Sequence, residues 1–300
     1  MRFSSVVAFG WVLVITACSS SGSDGSETSE PAAAESIKST LAQALILHAS
    51  FDHGPEADFA RGDPHLYTSR SWEADDEAVV GVGNPDVQTV PDVGLTGSAL
   101  HFTEKNSSNL FFRGQDNLAF TQGDWSGTIS FWLNLTPDED LAPGYTDPIQ
   151  ITDQRYNDAA IWVDFTDTDP RQFRLGVFGD LESWNPEGLP SDEVPGWLDN
   201  LVVVEEPPFQ RGEWTHVAIT HSGLNSEGGG SADLYLNGQL QGTIQEIMEP
   251  FTWDLSMAQI RLGVNFVGML DDLALFRRAL TDEEVAFLFG LGGGVASIRF

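Results

Sequence analysis

Between residues 128 and 135 apolar and polar side chains alternate without a break. Ile129, Phe131, Leu133 and Leu135 fall on one side, and Thr128, Ser130, Trp132 and Asn134 on the other. A period of two marks a strand with one buried face, because successive side chains point to opposite sides of a sheet. The pattern returns at 214–221, where Val217 and Ile219 share a face, and at 233–237, where Leu234 and Leu236 do. Asn237-Gly238 follows at once, a pair that accepts the positive φ of a tight hairpin, so 240–244 is read as the returning strand. Ile260, Leu262 and Val264 alternate again before a strand at 267–276, and earlier strands are expected at 45–51, 99–103, 109–112, 159–165 and 173–178. Many short strands without βαβ alternation predict an all-β fold, a sandwich or jelly roll of two antiparallel sheets. The segment with helical character is 281–289. Thr281 with Glu284 forms a capping box, Val285, Leu288 and Phe289 give an apolar face, and Gly290 ends it.

A chain of 300 residues suits one such domain plus a leader. With 14 Lys and Arg against 45 Asp and Glu, the formal net charge of −31 repels phosphate backbones and argues against a nucleic-acid partner. The 19 Phe and 9 Trp supply more apolar surface than a disordered acidic chain carries. The acidity therefore reads as a solvated surface whose loops offer oxygens to hard cations. Cys18 is the single cysteine, which excludes a disulfide framework and a thiolate metal cluster.

Cys18 has a different place in the chain. Arg2 and the apolar run from Val6 to Ile15 form a signal-peptide core too short to span a bilayer, and Ile15-Thr16-Ala17-Cys18 resembles the lipobox of bacterial lipoproteins, whose cysteine is acylated. An ordinary cleaved signal peptide with an accidental cysteine is the alternative. Residues 19–35, rich in Ser, Gly, Glu and Ala, read as a tether, and Ser19 after the cysteine favours the outer membrane. The expected layout is a lipoprotein signal peptide at 1–18, a flexible linker at 19–43, a folded domain at 44–290 and a Gly-rich tail at 291–300.

The order of short motifs resembles the laminin G-like, concanavalin A-like jelly-roll domains of exported bacterial proteins. The matching pieces are Phe51-Asp52 with Asp58, Gly97-Ser98-Ala99-Leu100-His101-Phe102, Gly127-Thr128-Ile129-Ser130-Phe131-Trp132, and Trp214-Thr215-His216-Val217-Ala218. They continue with Leu234-Tyr235-Leu236-Asn237-Gly238 and with Gly268-Met269-Leu270-Asp271-Asp272-Leu273 leading to Arg278-Ala279-Leu280-Thr281-Asp282-Glu283-Glu284. Long segments at about 66–95, 138–158 and 179–208 depart from the family pattern and read as insertions.

The resemblance implies that the first and last strands are neighbours. It would bring Asp52 and Asp58 near Asp271 and Asp272 as ligands of a structural Ca²⁺, with Asp63 as a further donor. Asp271 shares the strand parity of Leu273 and Leu275 and is expected to turn inward. The alternative is that these carboxylates cap backbone amides or pair with Arg61 or Arg277. For carbohydrate, the aromatic faces and polar groups that sugar sites need are offered by Tyr145, Tyr156, Trp162, Trp184 and Trp197, with Asp158 among the nearby carboxylates. Trp132 also lies on a strand. Core packing is the competing role for each aromatic.

Catalytic signatures fail. Retaining glucanases of this fold carry Glu-x-Asp-x-x-Glu on one strand, and the nearest string, Glu73-Ala74-Asp75-Asp76-Glu77-Ala78, has alanine where the second glutamate belongs. The reading is a recognition module anchored in the cell envelope, binding glycan or an extracellular protein. The alternatives are a polysaccharide lyase or hydrolase using Tyr156, His65 and insert carboxylates, or a structural adhesive protein.

Overall fold

A computed structural model describes residues 29–299; the leader, Cys18 and the first part of the expected linker lie outside them. The strands are β1 (Leu45–Ala49), β2 (Phe59–Ala60), β3 (Leu66–Ser69), β4 (Val79–Val80), β5 (Val87–Val90), β6 (Ala99–Phe102), β7 (Asn109–Arg113), β8 (Trp125–Asn134) and β9 (Thr146–Thr152). They continue as β10 (Ala160–Phe165), β11 (Phe173–Phe178), β12 (Leu201–Val204), β13 (Thr215–Leu224), β14 (Gly230–Leu236), β15 (Gln239–Ile247), β16 (Gln259–Val264) and β17 (Gly268–Phe276). One sheet runs β15-β14-β13-β8-β17-β1-β2, with β6 also on β17 and β5 on β6; the other runs β12-β11-β10-β9-β16-β7-β3-β4. The architecture is a concanavalin-like jelly-roll sandwich.

The alternating residues fill the space between the sheets. Phe131 is registered with Val217 and Ile129 with Ile219, while Leu234 and Leu236 sit one strand further on. From the other sheet Ile149, Ile151, Ile161, Val163, Leu175, Ile260 and Leu262 enter the same core. Burying a side chain of this size stabilises by about 1.5–3 kcal/mol, so the period-two pattern is the main folding force. Asn237 and Gly238 take φ values of 50° and 73°, the hairpin turn that their types favour. β1 pairs antiparallel with β17, as the motif order implied.

Several stretches differ from the sequence expectation. Residues 29–44, most of which fell in the expected linker, form helix α1 (Ser29–Ala44). Its Leu41 is fully buried in a second cluster with Leu280, Val285 and Leu288, and Thr40 Oγ1 lies 3.3 Å from Glu284 Oε1. Alanines favour the helix and Leu41 docks it. The Gly-rich tail also folds back: Val295–Ile298 is a 3₁₀ turn whose Val295 and Ile298 join the same cluster. The expected capping helix forms at Asp282–Phe289, with Glu284 N–H donating to Thr281 Oγ1 and Thr281 N–H to Glu284 Oε2.

The supposed insertions contain sheet: β3, β4 and β5 in the first, β9 in the second, β12 in the third. β9 is central, between β10 and β16. Its Asp147-Pro148 step hides the strand signal, because proline cannot donate to a ladder; the pairing with β10 shifts register at that point.

Leu41→Ala is expected to cost about 2 kcal/mol or more in urea denaturation, the penalty of a buried leucine; a mere tether would leave stability within about 0.5 kcal/mol.

Candidate functional site

Because Ile149, Ile151, Ile161 and Val163 face the core, their neighbours Gln150, Trp162 and Asp164 must face outward. With Asp147 and with Arg174 of β11 they floor a cleft of about 1180 Å³ on the outer face of the second sheet. Its walls are Tyr145, Tyr156, Asn265 and the loop 190–199, including Ser191, Asp192, Trp197, Leu198 and Asp199.

Trp162 lies flat because its partner on β11 is Gly176; a Cβ there would stand 2.2 Å from the indole. Its Nε1 donates to the Tyr156 carbonyl at 2.7 Å, which fixes the loop that carries Tyr156. Phe178 stacks on Trp162 at 6.0 Å and on Trp197 at 4.4 Å, so the loop wall is a continuation of an aromatic shelf. Tyr145, Tyr156 and Leu198 remain 53%, 48% and 71% exposed, apolar surface that the fold itself leaves unused.

Arg174 and Asp164 face each other across β10 and β11. Nε donates to Oδ1 at 2.9 Å and Nη2 to Oδ2 at 2.5 Å, so both carboxylate oxygens are engaged. The guanidinium also sits 5.1 Å from the Tyr145 ring centre and 5.6 Å from that of Trp162. Asp147 Oδ2 accepts from Gln150 Nε2 at 2.6 Å. Loss of water at the cleft bottom, followed by the nearby Asp164 charge, pushes the Asp147 carboxyl up to about 8, so it carries its proton at neutral pH. Beside the floor, on the same outer face, the buried Arg261 donates to Gln259, Gln150 and the Gln154 carbonyl.

Four of the aromatic candidates, Tyr145, Tyr156, Trp162 and Trp197, therefore line one cleft. Trp184 and Asp158 stand outside its lining. Trp184 is buried and donates to the Asn157 carbonyl, and Asp158 Oδ1 accepts Leu181 N–H, so both hold the wall in place. Trp132 packs with His216 and Phe289 on the other sheet. His65 pairs with Asp63 at 2.6 Å and does not line the cleft. Gln150, Asp164 and Arg174 were missed as site residues; the signal was their parity on strands whose alternate residues are apolar. Asp147, one of the carboxylates near the candidate aromatics, shares the parity of the inward Ile149 and Ile151 and reaches the cleft because the ladder slips beside it.

The acidic candidates divide into two pairs. Asp58 and Asp272 flank the buried His48: Nε2 is 2.8 Å from Asp272 Oδ1, and Nδ1 is 3.9 Å from Asp58 Oδ2. Asp272 also accepts Val295 N–H. Asp52 and Asp271 instead converge on the loop 94–98, accepting Ser98 N–H and Leu95 N–H, both at 2.6 Å. Asp271 does not follow Leu273 and Leu275 into the core, since a bulge with Asp272 at φ 48° lets Leu270 and Leu273 both face it.

Among the described residues no three His, Cys, Asp or Glu side chains group as a metal site. The loop nevertheless offers oxygens of another kind. A Cβ on Gly94 would lie 2.3 Å from the Ser98 carbonyl, 2.5 Å from that of Thr96 and 2.8 Å from Asp271 Oδ2. Burial, with Asp272 and Asp52 nearby, raises Asp271 to about 8, a charge penalty that a cation would relieve. An all-oxygen cradle of carbonyls and carboxylates fits Ca²⁺.

Residues 106–286 match the family model of the concanavalin A-like lectin/glucanases superfamily. The chain belongs to that superfamily. Among solved structures it is similar to domain 4 of an extracellular arabinanase from Geobacillus stearothermophilus, in complex with arabinotriose, at 18% identity and a TM-score of 0.47 over 81% of this chain and 96% of that one. It is also similar to the binding domain of botulinum neurotoxin serotype D, at 10% identity and a TM-score of 0.54 over 85% of this chain and 52% of the other. The binding domain of botulinum neurotoxin DC in complex with SialylT gives 12% identity and a TM-score of 0.50 over 84% and 52%. The chain thus spans about half of the toxin domains, and at these identities the likeness is one of fold. No match is found among curated proteins.

Asp147 fixes a pH dependence. Its pKa is about 8 in the folded chain against an ordinary 3.8, so its contribution to stability is complete below about pH 4 and is lost as pH rises through 8. Asp147→Asn is expected to stabilise the protein at pH 9 relative to pH 5, read as a flatter urea-midpoint profile than wild type; an unchanged profile would contradict the assignment.

Proposed function

We propose that this superfamily member is a recognition module that binds carbohydrate in the cleft of the second sheet. The observation that carries this reading is the combination of exposed Tyr145, Tyr156 and Leu198 with the aromatic shelf and a polar floor in one cleft of about 1180 Å³. Apolar sugar faces stack on aromatic rings while hydroxyls meet the amides and acids between them. Calorimetric titration with a panel of oligosaccharides tests it. Tyr145→Ala and Trp197→Ala should each weaken binding by about twofold to tenfold without changing the fold, since one stacked ring contributes about 0.5–1.5 kcal/mol.

An enzyme is the second reading, favoured by one observation: a protonated Asp147 beside Asp164 could serve as acid and carboxylate partner. Against it, Arg174 holds both oxygens of Asp164 in a bidentate ion pair, which draws charge from them and weakens them as a nucleophile. Binding without release of reducing ends from the same saccharides is the expected outcome.

The loop 94–98 is proposed to hold a structural Ca²⁺ through Asp52, Asp271 and the carbonyls of Thr96 and Ser98. The ion would neutralise the buried carboxylates and tie β6 to β17. Calcium should raise the melting temperature, a chelator should reverse the gain, and Asp271→Asn should abolish it. The chain is further proposed to be exported and anchored in the cell envelope by acylated Cys18; the mass of the mature N-terminus should carry the acyl groups.

A further inference from the structure

The charges around the cleft narrow the class of sugar, an inference that rests on the carbohydrate reading above. Arg174 is the cation among the lining residues, and its Nε and Nη2 are both spent on Asp164. Arg261, beside Gln150 on the same outer face, is 4% exposed, donates to Gln259, Gln150 and the Gln154 carbonyl, and does not line the cleft. Asp147 contributes a carboxyl, and the exposed Asp192 and Asp199 stand in the loop wall. The chain as a whole carries a formal charge of −31.

We propose that the cleft selects uncharged oligosaccharides and rejects sugars bearing carboxylates, because its guanidinium is already neutralised by Asp164 and its wall carries Asp192 and Asp199. A ligand carboxylate entering this space would lose water and meet only a guanidinium whose charge Asp164 already compensates, and it would approach like charges. A hydroxyl-bearing sugar meets neither penalty. It finds the amide of Asn265 and the hydroxyls of Ser191, Tyr145 and Tyr156 on the same walls.

The test is calorimetric titration of the purified protein at pH 7 with matched neutral and acidic oligosaccharides that differ by oxidation at C6, such as β-linked glucan and glucuronan, or mannan and mannuronan, fragments. Neutral members should bind at least tenfold more tightly than their uronates, a gap of about 1.4 kcal/mol. Their affinity should change by less than about twofold between 50 and 500 mM salt, since no net charge is exchanged. Asp164→Asn frees Arg174 and should narrow the gap to below about threefold. Asp192→Asn with Asp199→Asn, both in an exposed loop, gives a second reading that does not depend on the buried pair, and it should narrow the gap at low salt. A uronate bound as tightly as its neutral partner by the wild-type protein would overturn the inference and leave carbohydrate binding standing. Binding of no saccharide at all would overturn both.

Discussion

The cleft exists because of strand parity. Once Ile149 and Ile151 of β9 and Ile161 and Val163 of β10 are drawn into the core, the residues between them have one direction left, and Gln150, Trp162 and Asp164 become the outer face. The hydrophobic effect acts on the isoleucines and valines, and the polar groups are positioned as its consequence. Register then brings the useful neighbours together: Trp162 opposite Gln150 and Gly176, Asp164 opposite Arg174. A slip by one residue in β10 would send Trp162 and Asp164 into the core and leave the cleft without a floor.

The loop wall is held by the same economy of contacts. Trp184 and Asp158 fasten the segment that begins at Leu181, and Phe178 links the Trp162 floor to Trp197 in the wall. The side chains nearest the opening, Tyr145, Tyr156 and Leu198, are exposed although each is costly to leave in water. At the other sheet, the DD bulge of β17 performs a separate task. Asp272 gathers His48 and the C-terminal turn, while Asp271 turns to the loop that precedes β6.

How much of this is legible in the sequence depends on whether one residue's neighbours along the chain determine its place. The alternation at Ile129, Phe131 and Leu133 and the Asn237-Gly238 turn are local signals, and the fold followed from them. β9 was hidden by Asp147-Pro148, whose types disfavour a strand and whose bulge breaks the period. Leu41 was hidden because an Ala, Ser and Glu-rich segment looks like a tether until the surface it docks on is known. The aromatics of the cleft were visible as types, but only register distinguishes Trp162, which floors it, from Trp132, which the helix Asp282–Phe289 covers through Phe289. The division of the acids into Asp52 with Asp271 and Asp58 with Asp272 is likewise a product of a bulge that composition does not announce.

The most direct measurement is a crystal structure of the protein soaked with a neutral oligosaccharide that it binds in solution. Sugar density is expected in the cleft, with a ring face against Tyr145, Tyr156 or Trp197 above the Trp162 floor. Density confined to the other sheet, or to the loops around Asp52 and Asp271, would contradict it.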